Sequence, residues 1–568
     1  MKRHRKNRRL KKFLLWFAIA IGAFIIAFLI YFKIAVTITP PEPNDLSVLD
    51  LERIKIENDF YVCANSWLKK SNTGLWELYI EGDAFERGVI NGKLTKELIE
   101  IQEEAFVEQI NKMVPSKFYL NFLKYFVAWF NRNIDNHITD EYLLEIYGVS
   151  LSASDEFLYI APNYHRILDY HAAHDIGHAL QDMNMAGCTS FSAWGNKTQD
   201  SSLIIGRNFD FYVGDDFAKN KIIMFVNPDK GYKFMVVTWA GMIGAVSGMN
   251  EKGLTVTINA AKSEMPLEAK TPISILAREI LQYASDIDEA YAIAEKREIF
   301  VSESLMIGSA VDNKTAIIEK TPERLGLFES DESYIICSNH FQSDVFANDS
   351  LNLKNIKESS SMYRFNRVGE LIDKNQIISV NNTAEILRDQ KGFNNINIGM
   401  GNEKAINQLI AHHSVIFEPA KKLAWISVRP FQLGEYVCYN MDKIFKNFVA
   451  LRKKIEIYET TLTIPADSFL YSKDYQNFIK FKEISKLIQS SIENNEKIVF
   501  IDKNYISTNP EFFMTYSLLG DYYKKSKQYD KAIEYYNIAL EKEIPTLLEK
   551  EKIVEKREQC LGKKLLQE

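Results

Sequence analysis

The chain is 568 residues long, 46% apolar and 25% charged, with a formal net charge of −6. That length points to roughly two to four globular domains. The mild negative balance, with no basic stripe beyond the extreme N-terminus, excludes a nucleic-acid-binding protein.

Lys2–Lys12 hold eight Lys or Arg side chains, and Phe13–Phe32 add twenty residues without a charge. At about 1.5 Å per helical residue, that run matches a hydrocarbon core of ~30 Å. A cleavable signal peptide would have about 7–15 apolar residues ending in a small-x-small site, and Tyr31-Phe32-Lys33-Ile34 offers none. Residues 1–12 therefore read as a basic cytoplasmic tail and 13–32 as an uncleaved single-pass signal-anchor in the cell membrane. The positive flank sends the rest of the chain to the extracytoplasmic, periplasmic side. Thr39-Pro40-Pro41-Glu42-Pro43-Asn44 marks residues 33–75 as an extended linker.

From Glu77 the sequence becomes regular. Glu86 to Met113 has helical spacing at Ile90, Leu94, Leu98 and Ile101, and the strongly aromatic Lys117–Arg132 reads as a buried or groove-lining helix. His165, His171, His174 and His178 crowd the next stretch. Histidine is the commonest metal ligand, but there is no HExxH and no carboxylate at a habitual ligand spacing. These histidines are read as capping or cleft-lining, with no metal and no cofactor. Cys63, Cys188, Cys337, Cys438 and Cys560 are scattered without CxxC spacing, which indicates neither a zinc site nor a disulfide framework.

The chemistry concentrates at Gly187-Cys188-Thr189-Ser190-Phe191-Ser192-Ala193-Trp194 and Leu203–Phe211, two alternating apolar stretches joined by turn-forming residues. They read as a β-hairpin whose register brings Cys188 opposite Phe209 or Asp210, with Arg207 close by. A nearby cation favours the thiolate, the nucleophilic form of cysteine. Cleavage of the Gly187–Cys188 bond would add an α-amine of pKa about 7.7–8.0 on the same residue, a base for its own thiol.

Strands follow at Ile222–Val226, Tyr232–Thr238, Gly244–Gly248 and Leu254–Ala260. Helices follow at Thr271–Ala284 and Asp286–Lys296, and further strands at Leu305–Ala310 and Ala316–Glu319. A strand block, a helix pair and a second strand block predict two antiparallel sheets covered by helices. Asn259 ends one strand and Asn339 follows the Tyr334–Cys337 strand. Neutral amides of this kind suit an oxyanion without adding a competing charge.

Gly187-Cys188-Thr189-Ser190 and Gly206-Arg207-Asn208-Phe209-Asp210-Phe211 resemble the acyl-CoA:6-aminopenicillanate acyltransferase family, the peptidase C45 group of N-terminal-nucleophile (Ntn) hydrolases. Choloylglycine hydrolases and acid ceramidase are more distant relatives. Gly82–Gly88, Trp239–Gly244, Gly248–Leu254, Ser338–Phe341 and His412–Val415 match in the same order. The resemblance spans Leu75 to Arg429 and implies an α+β fold, the αββα sandwich, over residues 76–440. It also implies cleavage between 187 and 188, and a site of Cys188, Arg207, Asp210, Asn259 and Asn339. Asparagines at the last two positions line the site in the resembling enzymes. His340 keeps a papain-like Cys–His–Asn arrangement open, which would need no cleavage. The hairpin loop Asn196–Ser202 is longer than in the penicillin acyltransferase, so acceptor preference does not transfer.

Residues 441–568 change to Lys/Glu/Ile/Tyr-rich helical sequence. Tyr516–Tyr523, then Ala532, Tyr536, Ala539 and Pro545, follow the tetratricopeptide (TPR) pattern, one TPR-like repeat over about 512–545. A single repeat cannot bury its face alone, so it should pack on helices at Phe478–Ile492 and Leu547–Leu565, and it offers a surface for a protein partner. The reading is a membrane-anchored cysteine amidohydrolase or acyltransferase acting on a small-molecule amide or acyl substrate through a Cys188 thioester. A non-catalytic scaffold and an unprocessed Cys–His hydrolase stand as its alternatives.

Overall fold

The computed structural model describes residues 2–179, 187–262, 264, 266–449, 451–453, 455–496, 498 and 502–566. Among these, strands between Arg53 and Phe328 form an eleven-stranded sheet, and six strands form a second sheet. The alternation of side chains along each strand explains why both sheets are covered on two faces. In the strand Ile222–Pro228, Ile222, Met224 and Val226 face a helical layer while Ile223 and Phe225 face the second sheet. In the strand Ile204–Phe209, Ile205 enters the inter-sheet core and Ile204 the opposite one, where Val368, Leu371 and Leu387 of two helices cover it. The layers are therefore helix, sheet, sheet, helix, the αββα order expected.

Several boundaries move by a few residues. The strands expected from Tyr232 and Gly244 are Phe234–Thr238 and Ser247–Asn250, and the later pair is Glu303–Ser309 and Lys314–Lys320. The helices are Ile273–Tyr283 and Ile287–Lys296, the second started by Asp286, whose side chain accepts from the Glu289 N–H. Pro272 stands just before its helix instead of inside the first turn.

Two readings need correction. Residues 33–75 are not a linker throughout: Arg53–Glu57, Phe60–Cys63 and Ser66–Lys70 are strands at one edge of the large sheet, because Phe60, Val62, Trp67 and Leu68 find buried positions there. The aromatic helix, Lys117–Phe130, is neither buried nor groove-lining. Of its residues Phe130 alone is buried, and Phe118 is 86% exposed.

The C-terminal helices pack as a unit. The helices Phe513–Lys525 and Tyr529–Leu540 cross where Gly520 admits the Tyr536 ring; a Cβ at 520 would stand 2.5 Å from it. Lys473–Asn494 and Leu547–Leu565 flank the pair and share its core. This unit rests on the loop ahead of the strand His413–Glu418. Asn402 Nδ2 donates to the Glu543 carbonyl at 2.8 Å, and Asn509 Nδ2 to the Met400 carbonyl at 2.9 Å.

Candidate functional site

The nucleophile candidate stands one residue ahead of the strand Thr189–Ala193. Thr189 pairs with Asn208 and Ser190 with Arg207, so Cys188 comes opposite Phe209. The Gly187 N–H donates to the Asp210 carbonyl at 2.9 Å, which extends the hairpin past the thiol. The local geometry expected from the sequence thus joins Cys188, Arg207 and Asp210.

All three are fully buried. Arg207 Nη2 donates to Cys188 Sγ at 3.6 Å, while its other donors hold the Val246 carbonyl at 2.8 Å, Ser247 Oγ at 2.5 Å and the Ile258 carbonyl. Burial pushes the Cys188 thiol up to about 11, against the pull of the Arg207 charge. In the uncut chain the thiol is therefore protonated at neutral pH, and removing that proton needs a base. Burial also pushes Asp210 up to about 7, against the charges of Arg364 and Arg207, and among the described residues its Oδ1 has no hydrogen-bond partner.

The asparagines are differently placed than their shared expectation suggests. Asn259 spends both N–H groups on the Cys337 and Ser338 carbonyls and accepts from Ser190 Oγ at 2.8 Å. It fastens the strand Thr189–Ala193 to the segment that carries Asn339 and has no donor left for an oxyanion. Asn339 donates one N–H to the Ala260 carbonyl at 2.8 Å and accepts from Arg364 Nη2 at 2.5 Å. His340 turns to Ser361 Oγ at 2.7 Å, and burial holds its ring down to about 4. Among the described residues it makes no hydrogen bond to Cys188, so the geometry does not favour the papain-like alternative.

Sequence reasoning missed the residues that surround these groups. Arg364 Nε donates to Thr189 Oγ1 at 3.1 Å and so reaches both the strand Thr189–Ala193 and Asn339. Gln408 Nε2 donates to the Gly187 carbonyl at 2.6 Å and lies 3.5 Å from Asp210 Oδ2. Ser247 Oγ lies 2.8 Å from His413 Nε2, and His413 Nδ1 is 2.8 Å from His412 Nδ1. Arg207 can only donate, so Ser247 accepts from it and passes its own hydroxyl hydrogen to His413 Nε2. His413 Nδ1–H then donates to His412. Burial keeps both rings well below the usual histidine range. This neutral chain holds Arg207 in place without adding charge.

Ahead of Cys188, His165, His171 and His174 are each within hydrogen-bond distance of a partner, and none caps a helix among the described residues. His165 lies 2.7 Å from the Ile38 carbonyl, and His171 bridges the Ile167 carbonyl and the Ile243 N–H. The face expected to run through His171, His174 and His178 is broken at Ala172, between the helices Asn163–His171 and Ala173–Ala179. The His178 side chain and residues 180–186 lie outside the described residues. His174, Asp175 and Glu303 place ligand atoms within 4.8 Å of one another and could hold a cation. However, His174 Nδ1 is already 3.1 Å from Asp175 Oδ1, and Asp175 Oδ2 accepts from the Ile273 N–H. Burial raises the Glu303 carboxyl well above its ordinary range, with the Asp175 charge adding to it. A proton on Glu303 relieves the same charge that a cation would.

His174 also packs on Phe209 and Phe211 and walls a cavity of about 30 Å³ with Ile99, Phe106, Trp239 and Met242. That volume admits about one or two waters and no acyl chain.

The raised carboxyl of Asp210 carries a pH signature. Its folded value of about 7 exceeds the unfolded ≈3.9, so the folded state binds the extra proton. The stabilisation is complete below about pH 4, falls as pH rises to about 7, and changes little above. An uncut Cys188→Ala chain is expected to lose more Tm from pH 5 to pH 8 than the same chain carrying Asp210→Asn. Equal losses would show that Asp210 ionises normally.

Residues 196–431 match the model of a family described as acyl-coenzyme A:6-aminopenicillanic acid acyl-transferase, a match that begins after Cys188. An uncharacterised protein of Archaeoglobus fulgidus is 22% identical over 277 residues, 46% of this chain and 46% of that protein. The chain thus spans about half the length of the curated relative it matches. Among solved structures, a Caenorhabditis elegans N-acylethanolamine-hydrolyzing acid amidase ortholog aligns at 16% identity with a TM-score of 0.30, over 41% of this chain and 93% of that one. A conjugated bile acid hydrolase from Clostridium perfringens aligns at 16% identity with a TM-score of 0.32, over 45% and 93%. Structural likenesses this weak carry no weight for the chemistry.

Proposed function

We propose, from the match of residues 196–431 to the acyl-coenzyme A:6-aminopenicillanic acid acyl-transferase family model, an amide-bond hydrolase or acyltransferase that cuts itself before Cys188. The observation that carries this reading is the 2.6 Å hydrogen bond from Gln408 Nε2 to the Gly187 carbonyl, beside a thiol that faces Arg207 and Asp210. A scissile carbonyl held by a donor and flanked by a sulfur is the arrangement an N→S acyl shift requires.

In the cleavage step the thiol gives its proton to the Asp210 carboxylate, and the sulfur adds to the Gly187 carbonyl carbon. Gln408 Nε2 holds the oxygen that becomes negative. Collapse breaks the bond to the Cys188 nitrogen, which takes back the proton held by Asp210 and becomes a free amine. Water then hydrolyses the thioester, leaving a carboxylate on Gly187 and the thiol on Cys188.

In turnover the new amine accepts the thiol proton, and the thiolate attacks a substrate amide. Arg207 keeps the sulfur anionic, and Asn339, which retains an N–H beyond its bond to Ala260, serves the oxyanion. Asn259 acts by fixing the Asn339 segment. The leaving amine takes the proton, and water or a second amine accepts the acyl group. The chain ahead of Cys188 supplies His174 and Phe106 to the cavity wall and strands to the large sheet, so after cleavage it stays packed on the core as the smaller chain.

The helix Leu10–Ala35 is long and apolar enough to cross a membrane, and the basic tail ahead of it supports an extracytoplasmic catalytic domain. The C-terminal TPR-like helices serve first to buttress the loop leading to Gln408. Sequencing the purified protein from its chain starts tests the reading, with a start at Cys188 as the expected result.

A further inference from the structure

The helix Lys117–Phe130 carries seven aromatic side chains in fourteen residues and no acidic one. An isolated apolar residue on a surface is ordinary, but a contiguous exposed patch marks an interaction site. Here Phe118, Tyr119, Phe122 and Tyr125 are 86%, 49%, 54% and 50% exposed, and the neighbouring Tyr159 is 63% exposed.

The position of this patch identifies what covers it. Tyr31 and Phe32, at the end of the apolar run, meet the same helix. Phe32 stacks on Trp129 at 5.8 Å and meets the Tyr125 edge at 6.0 Å, while Tyr31 lies 6.2 Å from Trp129. The run loses its apolar character at Lys33, which sets the level of the lipid headgroups. Trp, Tyr and Lys are the residues that favour that level. Lys124 reaches back to the Tyr159 carbonyl at 2.6 Å, keeping its charge on the protein side.

We propose that Lys117–Phe130 lies in the lipid–water interface as a second membrane contact, its aromatic face set into the phospholipid leaflet beside the anchor. The inference rests on the reading of Phe13–Phe32 as a membrane span. It holds the catalytic domain against the bilayer instead of at the end of a tether, and so favours amides that partition into lipid.

The test uses the full chain in phosphatidylcholine–phosphatidylglycerol vesicles with a photoreactive side chain, as Phe118→benzoylphenylalanine and Phe122→benzoylphenylalanine. Phe24, within the span, and Tyr471, 74% exposed among the C-terminal helices, are the reference positions. After illumination, phospholipid adducts at 118 and 122 should match those at 24 and exceed those at 471 by about ten-fold. Adducts at 24 with none at 118 or 122, or crosslinks from these two to protein, would overturn the interfacial helix and leave the span standing. No adduct at 24 would overturn the span and, with it, this inference.

Discussion

A Cys188→Ala chain is expected to remain in one piece and to lose amide turnover by about 10⁴-fold or more. Both losses follow from one atom, because the sulfur is at once the group that attacks the Gly187 carbonyl and the carrier of the acyl group. The variant should fold. Cys188 is fully buried, but among the described residues its Sγ is hydrogen-bonded only at 3.6 Å to Arg207 Nη2, and the Arg207 Nη groups keep Val246, Ser247 and Ile258 as partners without it. Electrophoresis of the purified variant reads the first effect, and release of amine from a long-chain acyl amide reads the second. Two fragments cut after Gly187 would assign the cleavage to another protease. Retained turnover would remove Cys188 from the chemistry.

Gln408→Ala is expected to slow cleavage of the Gly187–Cys188 bond by about 10²–10³-fold, the ordinary cost of losing one oxyanion donor. The bond it makes is to the carbonyl that must become tetrahedral, and the approach is tight. A Cβ added at Gly187 would lie 2.7 Å from Gln408 Nε2. Gln408→Glu keeps the shape of the side chain and replaces the donor by an acceptor, so it should be slow as well. That separates a lost hydrogen bond from lost packing. The readout is the rate at which freshly synthesised chain splits. Splitting at the wild-type rate in a folded Gln408→Glu chain would show that the Gly187 carbonyl is activated by something else.

The parts legible in the sequence were those set by neighbours along the chain. Period-two alternation and a turn were enough to bring Cys188 to Phe209 and to place Arg207 and Asp210 beside it. The residues that complete the site come from far away. Gln408 is 221 positions from Gly187, Arg364 is 175 from Thr189, and His413 is 166 from Ser247. The motif His412–Val415 flags His413 without assigning it a partner, and no local pattern marks Gln408 or Arg364, because their role exists once two sheets and a helical layer have been stacked. Asn259 shows the limit of carrying a role across by position: its amide hydrogens are taken by the Cys337 and Ser338 carbonyls. The aromatic helix Lys117–Phe130 departs from its expected burial for a related reason. Periodicity reports that a face is apolar and not whether protein or lipid covers it.

The most direct measurement is the first residue of the larger chain in the purified wild-type protein. If the sulfur works from a chain start of its own making, sequencing returns Cys188 followed by Thr189, Ser190 and Phe191, with the earlier segment present as a second chain. A single uncut chain that still turns over amides would contradict the mechanism at its root.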